Sequence, residues 1–340
     1  MQVAVYYNNH DIRIQEQPIP EIGVDEILLK VKASGICGSD VLEWYRLKKA
    51  PLVLGHEVTG VIAQIGSAVK KFKVGDRVFV AHHVPCNACR YCLAGNHTVC
   101  QTLQSTNFYP GGFSEYIRVP AINIERGTFI LLENISFEDG TFIEPLGCVL
   151  RGQRMSDIKE GQSVLILGAG ISGLLHLLLA REKLARRIIL TDVNEYRLKM
   201  AKELGADAVI NAKEDVISVL RRENEGRLAD QVIICTGAVS AFQQALTAVE
   251  RAGTIMCFAA TEPGVTLAVP VNEFWRQSIK IMHSYGASPS DEVEAMKLLE
   301  TGAISVKELI THRLNLKDAG LGFKLVAEAK DCIKVILEPK

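Results

Sequence analysis

The chain has 340 residues, 48% of them hydrophobic, and a formal net charge of -1. That length exceeds what a single core ordinarily organises and points to two domains. The near-neutral balance offers no basic field for nucleic acid and no polybasic patch for a membrane, which leaves a small molecule as the expected partner.

The first residues, Met1-Gln2-Val3-Ala4-Val5-Tyr6, read as a strand and not as a signal peptide, so a cytoplasmic location is expected. Residues 3–33 carry short alternating strands punctuated by Pro18, Pro20 and Gly23, the clearest being Ile27-Leu28-Leu29-Lys30-Val31-Lys32. The run ends at Gly35-Ile36-Cys37-Gly38-Ser39-Asp40, where two glycines are expected to turn the backbone tightly and present Cys37 and Ser39 outward. Further strands are predicted over 58–65, directly after Gly55-His56-Glu57, and over 77–81, so the first domain reads as mainly β with its chemistry on loops.

Cys37, His56, Glu57 and, further on, Glu144 offer a thiolate, an imidazole and two carboxylates. These are donors that a zinc ion accepts, and three of them plus an exchangeable water make a catalytic site. Packing roles also fit such residues: a cysteine in a tight turn, a His-Glu pair opening a strand, and Glu144 in Phe142-Ile143-Glu144-Pro145-Leu146 as a helix-start acid bonded to backbone N–H groups. Cys86-x2-Cys89-x2-Cys92-x7-Cys100 is more specific. Four thiolates so spaced can close a tetrahedral shell around a structural zinc, and the lobe 85–101 has little core of its own. The chain holds nine cysteines, and the clustering of four favours metal over disulfides in a reducing compartment. Of the others, Cys148, Cys235, Cys257 and Cys332 read as small core residues. His82, His83, His97 and His176 read as surface or packing residues.

The sequence changes character at Gly161. Ser163-Val164-Leu165-Ile166-Leu167 reads as a buried parallel strand, followed by Gly168-Ala169-Gly170-Ile171-Ser172-Gly173 and a leucine-rich helix. These glycines break the most apolar stretch of the chain, 164–180, which therefore reads as strand, turn and helix and not as a membrane span. The turn and helix start suit a pyrophosphate. Asp192, ending the strand 187–191, can accept both ribose hydroxyls and repel a 2′-phosphate, which favours NAD over NADP. Thr236, after the strand 231–235, joins the candidate cofactor residues. So does Arg197, although a solvated position on its helix is the plainer reading. Alternating strands and helices up to about residue 282 predict a doubly wound parallel sheet. Residues 292–300 then read as an amphipathic helix, and 310–337 as short strands with a helix returning to the first domain.

With these residues in place, the chain resembles the zinc-containing medium-chain dehydrogenases over nearly its whole length, most closely their sorbitol (polyol) dehydrogenase branch. The resemblance rests on Gly35 to Asp40, Gly55-His56-Glu57, the four-cysteine lobe, Glu144-Pro145-Leu146, Gly168 to Gly173 and Ile310-Thr311-His312-Arg313. It implies an α/β chain: a GroES-like, mainly-β catalytic domain (1–146 and 286–340), a Rossmann NAD-binding domain (147–285), and a cleft between them. It further implies two zinc ions per chain. The catalytic ion would be held by Cys37, His56 and Glu57, with Glu144 a fourth ligand or acting through water. Ser39 would accept the substrate hydroxyl proton, and a homo-oligomer, dimer or tetramer, is expected.

Three departures from the branch stand out. Leu42 occupies the place of a relay histidine, the 40–54 loop is short, and Ser284-Tyr285 replaces an Arg-Tyr pair, leaving Tyr285 as the substrate-pocket candidate. The expected reaction is NAD-dependent oxidation of a secondary alcohol in a polyol, sugar or cyclitol. A threonine-type amino-alcohol dehydrogenase and a non-catalytic NAD-binding protein are the alternatives.

Overall fold

The structure, a computed structural model, describes residues 1–339. The chain forms two compact units, residues 1–147 with 287–340, and residues 148–286. In the first, a seven-stranded sheet runs in the order Ile310–Asn315, Lys334–Glu338, Ile27–Gly35, Glu57–Ile65, Arg77–Ala81 and Thr128–Ile130, with Tyr116–Val119 also paired to Ile27–Gly35. Alternate residues of these strands face one core, where Ile27, Leu29 and Val31 meet Val58, Ile62, Val78, Val80 and Ile117. A smaller sheet joins Asp11–Glu16, Gln2–Asn8 and Leu52–Val53.

The closing segment pairs with the main sheet of this unit. Strand Ile310–Asn315, helix Ala319–Glu328 and strand Lys334–Glu338 make a βαβ unit of two parallel strands, and the second strand lies antiparallel to Ile27–Gly35. Leu337 pairs with Ser34 and Ile336 with Gly35, so continuing the register sets Lys334 level with Cys37. On the other side of the same strand, Gly35 pairs with Glu57. Two sequence-distant segments are thereby brought to the end of one strand.

The turn after that strand differs from the expectation. Neither Gly35 nor Gly38 has a positive φ. Cys37 instead caps a short 3-10 turn, Gly38–Val41, its Sγ accepting from the Ser39 N–H while the Asp40 carboxylate accepts from the Cys37 N–H. Gly35 is required for close approach: a Cβ there would collide with the Glu57 carboxylate and stand 2.7 Å from Lys334 Cε.

The second unit is a six-stranded, all-parallel sheet. Its order is Ala208–Asn211, Arg187–Asp192, Ser163–Leu167, Ala229–Ile234, Val249–Cys257, Lys280–His283. Numbered within the unit this is 3-2-1-4-5-6, the doubly wound order in which ligands bind at the carboxyl ends of the strands where the order reverses. The central strand Ser163–Leu167 is buried throughout, as an apolar run without alternation requires. His176 is a packing residue: fully buried, it is bonded to the Gln153 amide and stands edge-on to Phe258. Cys257 and Cys332 are core residues, whereas Cys148 and Cys235 are only partly buried. Among the described residues, no helix is long and apolar enough to cross a membrane.

Candidate metal centres and dinucleotide site

The register described above converges on a cluster of donors. One ligand atom from each of Cys37, His56 and Glu57 lies within 4.8 Å of the others. Soft sulfur, imidazole nitrogen and carboxylate oxygen gathered this closely are a donor set that a zinc ion accepts. Glu144 is not in this set. It sits in the first turn of helix Ile143–Met155, buried.

The imidazole is held from behind. Asp40 Oδ1 lies 3.4 Å from His56 Nδ1 and accepts from the Arg46 guanidinium at 3.1 Å. Engaging Nδ1 leaves Nε2 to face a metal, the usual way an outer carboxylate orients a ligand histidine. Burial disfavours the Asp40 carboxylate, but His56, Arg46 and the Cys37 N–H outweigh it and hold its pKa below the ordinary value. Burial likewise disfavours charge on His56, yet Asp40 and Cys37 reverse this and raise its pKa well above the usual one. His82, read from sequence as a surface or packing residue, packs on His56 with ring centroids 4.9 Å apart. Burial keeps its pKa well below normal. His83 stacks on His82 and donates Nδ1–H to the Thr106 carbonyl at 2.8 Å; burial holds its pKa down at about 4.

Lys334 is the residue sequence reasoning missed. Wholly buried, it forms an ion pair with Glu57 Oε2, donates to the Ile36 carbonyl at 3.4 Å and lies 5.6 Å over the Phe142 ring.

A second buried acid, Glu292, stands on helix Pro289–Glu300, whose first turn the sequence pattern leaves outside the helix. Its Cγ lies 3.2 Å from where a Gly147 Cβ would be, and Gly147 is one helical turn from Glu144. Burial first, then the charges of Glu144 and Asp291, raise its pKa well above the carboxylate range, so it is neutral in the fold. The unfolded chain gives up this proton at the ordinary pKa while the folded chain keeps it. Stability from this group is therefore complete below the unfolded pKa and is lost as pH rises through the folded one. Glu292→Gln should melt higher than wild type at about pH 8 and equally at about pH 4. The rise should be about 2–4 °C for each kcal/mol recovered. Calorimetry across that range checks it, and parallel pH curves for the two proteins would refute the assignment.

The second cluster gathers Cys86, Cys89, Cys92 and Cys100. Sulfur separations are 3.9 Å (Cys86–Cys92), 3.5 Å (Cys89–Cys92) and 3.6 Å (Cys86–Cys100). A zinc tetrahedron with bonds of about 2.3 Å has edges of about 3.8 Å, close to these three separations. Backbone N–H groups of Ala88 and Cys89 point at Cys86 Sγ, and that of Cys86 points at Cys100 Sγ, which supports thiolate charge.

In the other unit, Gly168 to Gly173 link strand Ser163–Leu167 to helix Ile171–Glu182. A Cβ on Gly173 would collide with the Gly168 carbonyl, so only glycine lets the helix start this close to the strand. Ile171 and Ser172 open that helix, and Thr236 lies against Gly168, its Cβ 3.3 Å from where a Gly168 side chain would begin. Asp192 accepts from the Ala169 and Asn194 N–H groups at 2.8 and 2.9 Å, which fixes its carboxylate beside the turn. Arg197, expected to be solvated on its helix, is partly buried. Its guanidinium lies 3.6 Å from the Gly170 Cβ position, and its Nε is buried without a hydrogen-bond partner. Tyr285 is 55% exposed, and Ser284 accepts from Arg151.

Residues 23–126 match the alcohol dehydrogenase GroES-like domain, and residues 172–301 match the zinc-binding dehydrogenase family. The sorbitol dehydrogenase of Bacillus subtilis (strain 168) is 31% identical over 351 residues, spanning 100% of this chain and 97% of that protein. The chain belongs to the zinc-binding dehydrogenases. An L-threonine 3-dehydrogenase from Caldanaerobacter subterraneus subsp. tengcongensis is 34% identical over 347 residues, covering 99% of this chain and 98% of that one. A solved structure from E. coli CFT073, described as a short chain alcohol dehydrogenase complexed with NADH, superposes with a TM-score of 0.89 at 29% identity, over 99% of each chain. This zinc-binding dehydrogenase is thus a zinc-dependent oxidoreductase of small alcohols that uses a nicotinamide cofactor, with a GroES-like and a Rossmann domain, as its motifs implied.

Proposed function

We propose that this dehydrogenase oxidises a secondary alcohol of a polyol, sugar or cyclitol to the ketone: the alcohol and NAD+ give the ketone, NADH and a proton. The observation that carries the reading is the convergence of Cys37, His56 and Glu57 at the end of one strand, beside the Ser39 turn. Those three residues would hold the catalytic zinc, with Glu144 acting from the neighbouring helix through water, and the four cysteines would hold a second, structural ion. When bound, the zinc ion supplies the Lewis acidity that brings an alcohol hydroxyl toward ionisation near neutral pH, and the nicotinamide supplies the hydride acceptor.

The protein's own residues position and discharge. Asp40 orients His56, Lys334 restrains Glu57, and Ser39 Oγ takes the hydroxyl proton as its own proton passes to water. The glycine turn and helix Ile171–Glu182 receive the pyrophosphate, Asp192 the ribose hydroxyls, and Thr236 and Arg197 flank the turn. Tyr285 is assigned to the substrate wall.

A cytoplasmic location fits a chain in which none of the nine cysteines is joined in a disulfide. A homo-oligomer fits the edge strand Lys280–His283, where Ile281 is exposed, and the exposed Val271 and Trp275 of the preceding helix, an apolar edge that a second copy would cover.

A panel of alcohols with NAD and NADP tests the reading through the absorbance of the reduced nicotinamide. Polyols bearing vicinal secondary hydroxyls should be oxidised with NAD, and NADP should support a much lower rate. The threonine-type alternative, which the 34% identical relative keeps in play, predicts turnover of L-threonine instead. That result would displace the polyol reading.

A further inference from the structure

The place of the relay histidine is taken by Leu42, a partly exposed aliphatic side chain that can carry no proton. The one-turn helix Glu43–Arg46 that follows sets Arg46 back over the same turn. Arg46 donates from Nε to the Ser39 carbonyl at 2.9 Å and from one terminal nitrogen to Ser39 Oγ at 3.1 Å and to Asp40 Oδ1 at 3.1 Å. Its side chain is only 12% exposed. A guanidinium donates five hydrogen bonds in a rigid fork and accepts none.

From this geometry we propose that Arg46 is the positioning residue of the Ser39 hydroxyl, fixing one of its lone pairs so that the other faces the substrate alcohol and the O–H faces outward. The inference rests on the dehydrogenase reading above. In the step it serves, Ser39 Oγ accepts the alcohol proton on the open lone pair while releasing its own proton to water. Arg46 neither gains nor loses a proton, so no imidazole is needed beside the serine. A guanidinium that merely neutralised the buried Asp40 would need neither the bond to Oγ nor the bond to the Ser39 carbonyl.

Arg46→Met and Ser39→Ala, singly and together, test this in the full-length, zinc-loaded protein. Arg46→Met should lower kcat about a hundredfold, the usual scale for a misaligned reacting group, with the KM for alcohol moving less than about threefold. Guanidinium chloride added at millimolar concentration should restore part of that kcat. In the Ser39→Ala background the same change should add less than about a twofold loss, because its target is gone. Zinc content and the visible spectrum of the cobalt-substituted protein should match wild type, since the ligands Cys37 and His56 are untouched.

An equal loss in both backgrounds, or an altered cobalt spectrum, would mean that Arg46 acts through Asp40 and His56, and the inference fails. If Arg46→Met does not fold, Arg46→Lys provides the same comparison, because it keeps a cation beside Asp40 but cannot bridge Ser39 O and Oγ as a fork. Wild-type protein that oxidises no alcohol overturns the parent reading, whereas active wild type with unimpaired Arg46 variants overturns this inference alone.

Discussion

Cys37→Ser should abolish turnover, by about a thousandfold or more, while NAD binding stays at its wild-type level. The argument runs through coordination chemistry. Zinc binds thiolate sulfur at about 2.3 Å, and a serine hydroxyl is both shorter and neutral at ordinary pH. The site would be left with His56 and with Glu57, whose carboxylate is already paired to Lys334. Metal analysis should fall from two ions per chain to one, because the four-cysteine lobe has its own ligands and shares none with Cys37. The dinucleotide turn lies in the other unit, so fluorescence titration with NADH should be unchanged. Retained activity, or a variant that keeps both ions, would remove the basis for a catalytic role of Cys37.

The parts of this molecule that can be read from sequence are those whose chemistry is local. The cysteines at 86, 89, 92 and 100 lie within one loop, so their spacing already encodes the sulfur tetrahedron. Gly168 to Gly173, with the strand before and the helix after, encode a phosphate turn in six residues, and Asp192 follows at the distance set by one βαβ unit. What sequence reasoning misses depends on register. Glu57 and Lys334 are 277 residues apart, and nothing near Lys334 in the sequence marks it as anything but a strand residue. Only the pairing of two strands to Ile27–Gly35 reveals it. Gly35 misleads for the same reason: the sequence suggests freedom of φ, whereas the fold needs the space its missing Cβ leaves for Glu57 and Lys334. Asp40 and Arg46 are in plain view as a motif residue and a loop cation, but their role depends on a turn that bends the loop back on itself. Glu292 is hidden by an amphipathic pattern that places its charge in solvent.

Lys334→Met should strongly destabilise the catalytic unit. Removing one partner of a buried ion pair leaves the other charge without compensation, a loss of about 3–5 kcal/mol. Lys334 and Glu57 are 0% and 1% exposed, so water cannot take the place of the lysine. The Ile36 carbonyl also loses a donor, and Phe142 the cation over its ring. Together these changes should lower the melting temperature by on the order of 10 °C. The sign of the metal effect then separates two roles for Glu57. If its carboxylate faces zinc as well as Lys334, the ion supplies part of the missing positive charge, and the destabilisation should be smaller in zinc-loaded protein than after chelation at the catalytic site. If Glu57 only pairs with Lys334, zinc should leave the difference between variant and wild type unchanged. Glu57→Gln combined with Lys334→Met removes both charges, and because replacing a buried pair by uncharged groups of similar volume is close to neutral, most of the lost stability should return. Calorimetry on the four proteins, with and without metal, gives the coupling directly; a double variant no more stable than Lys334→Met alone would show that packing around the lysine stem, not its charge, holds this end of the sheet.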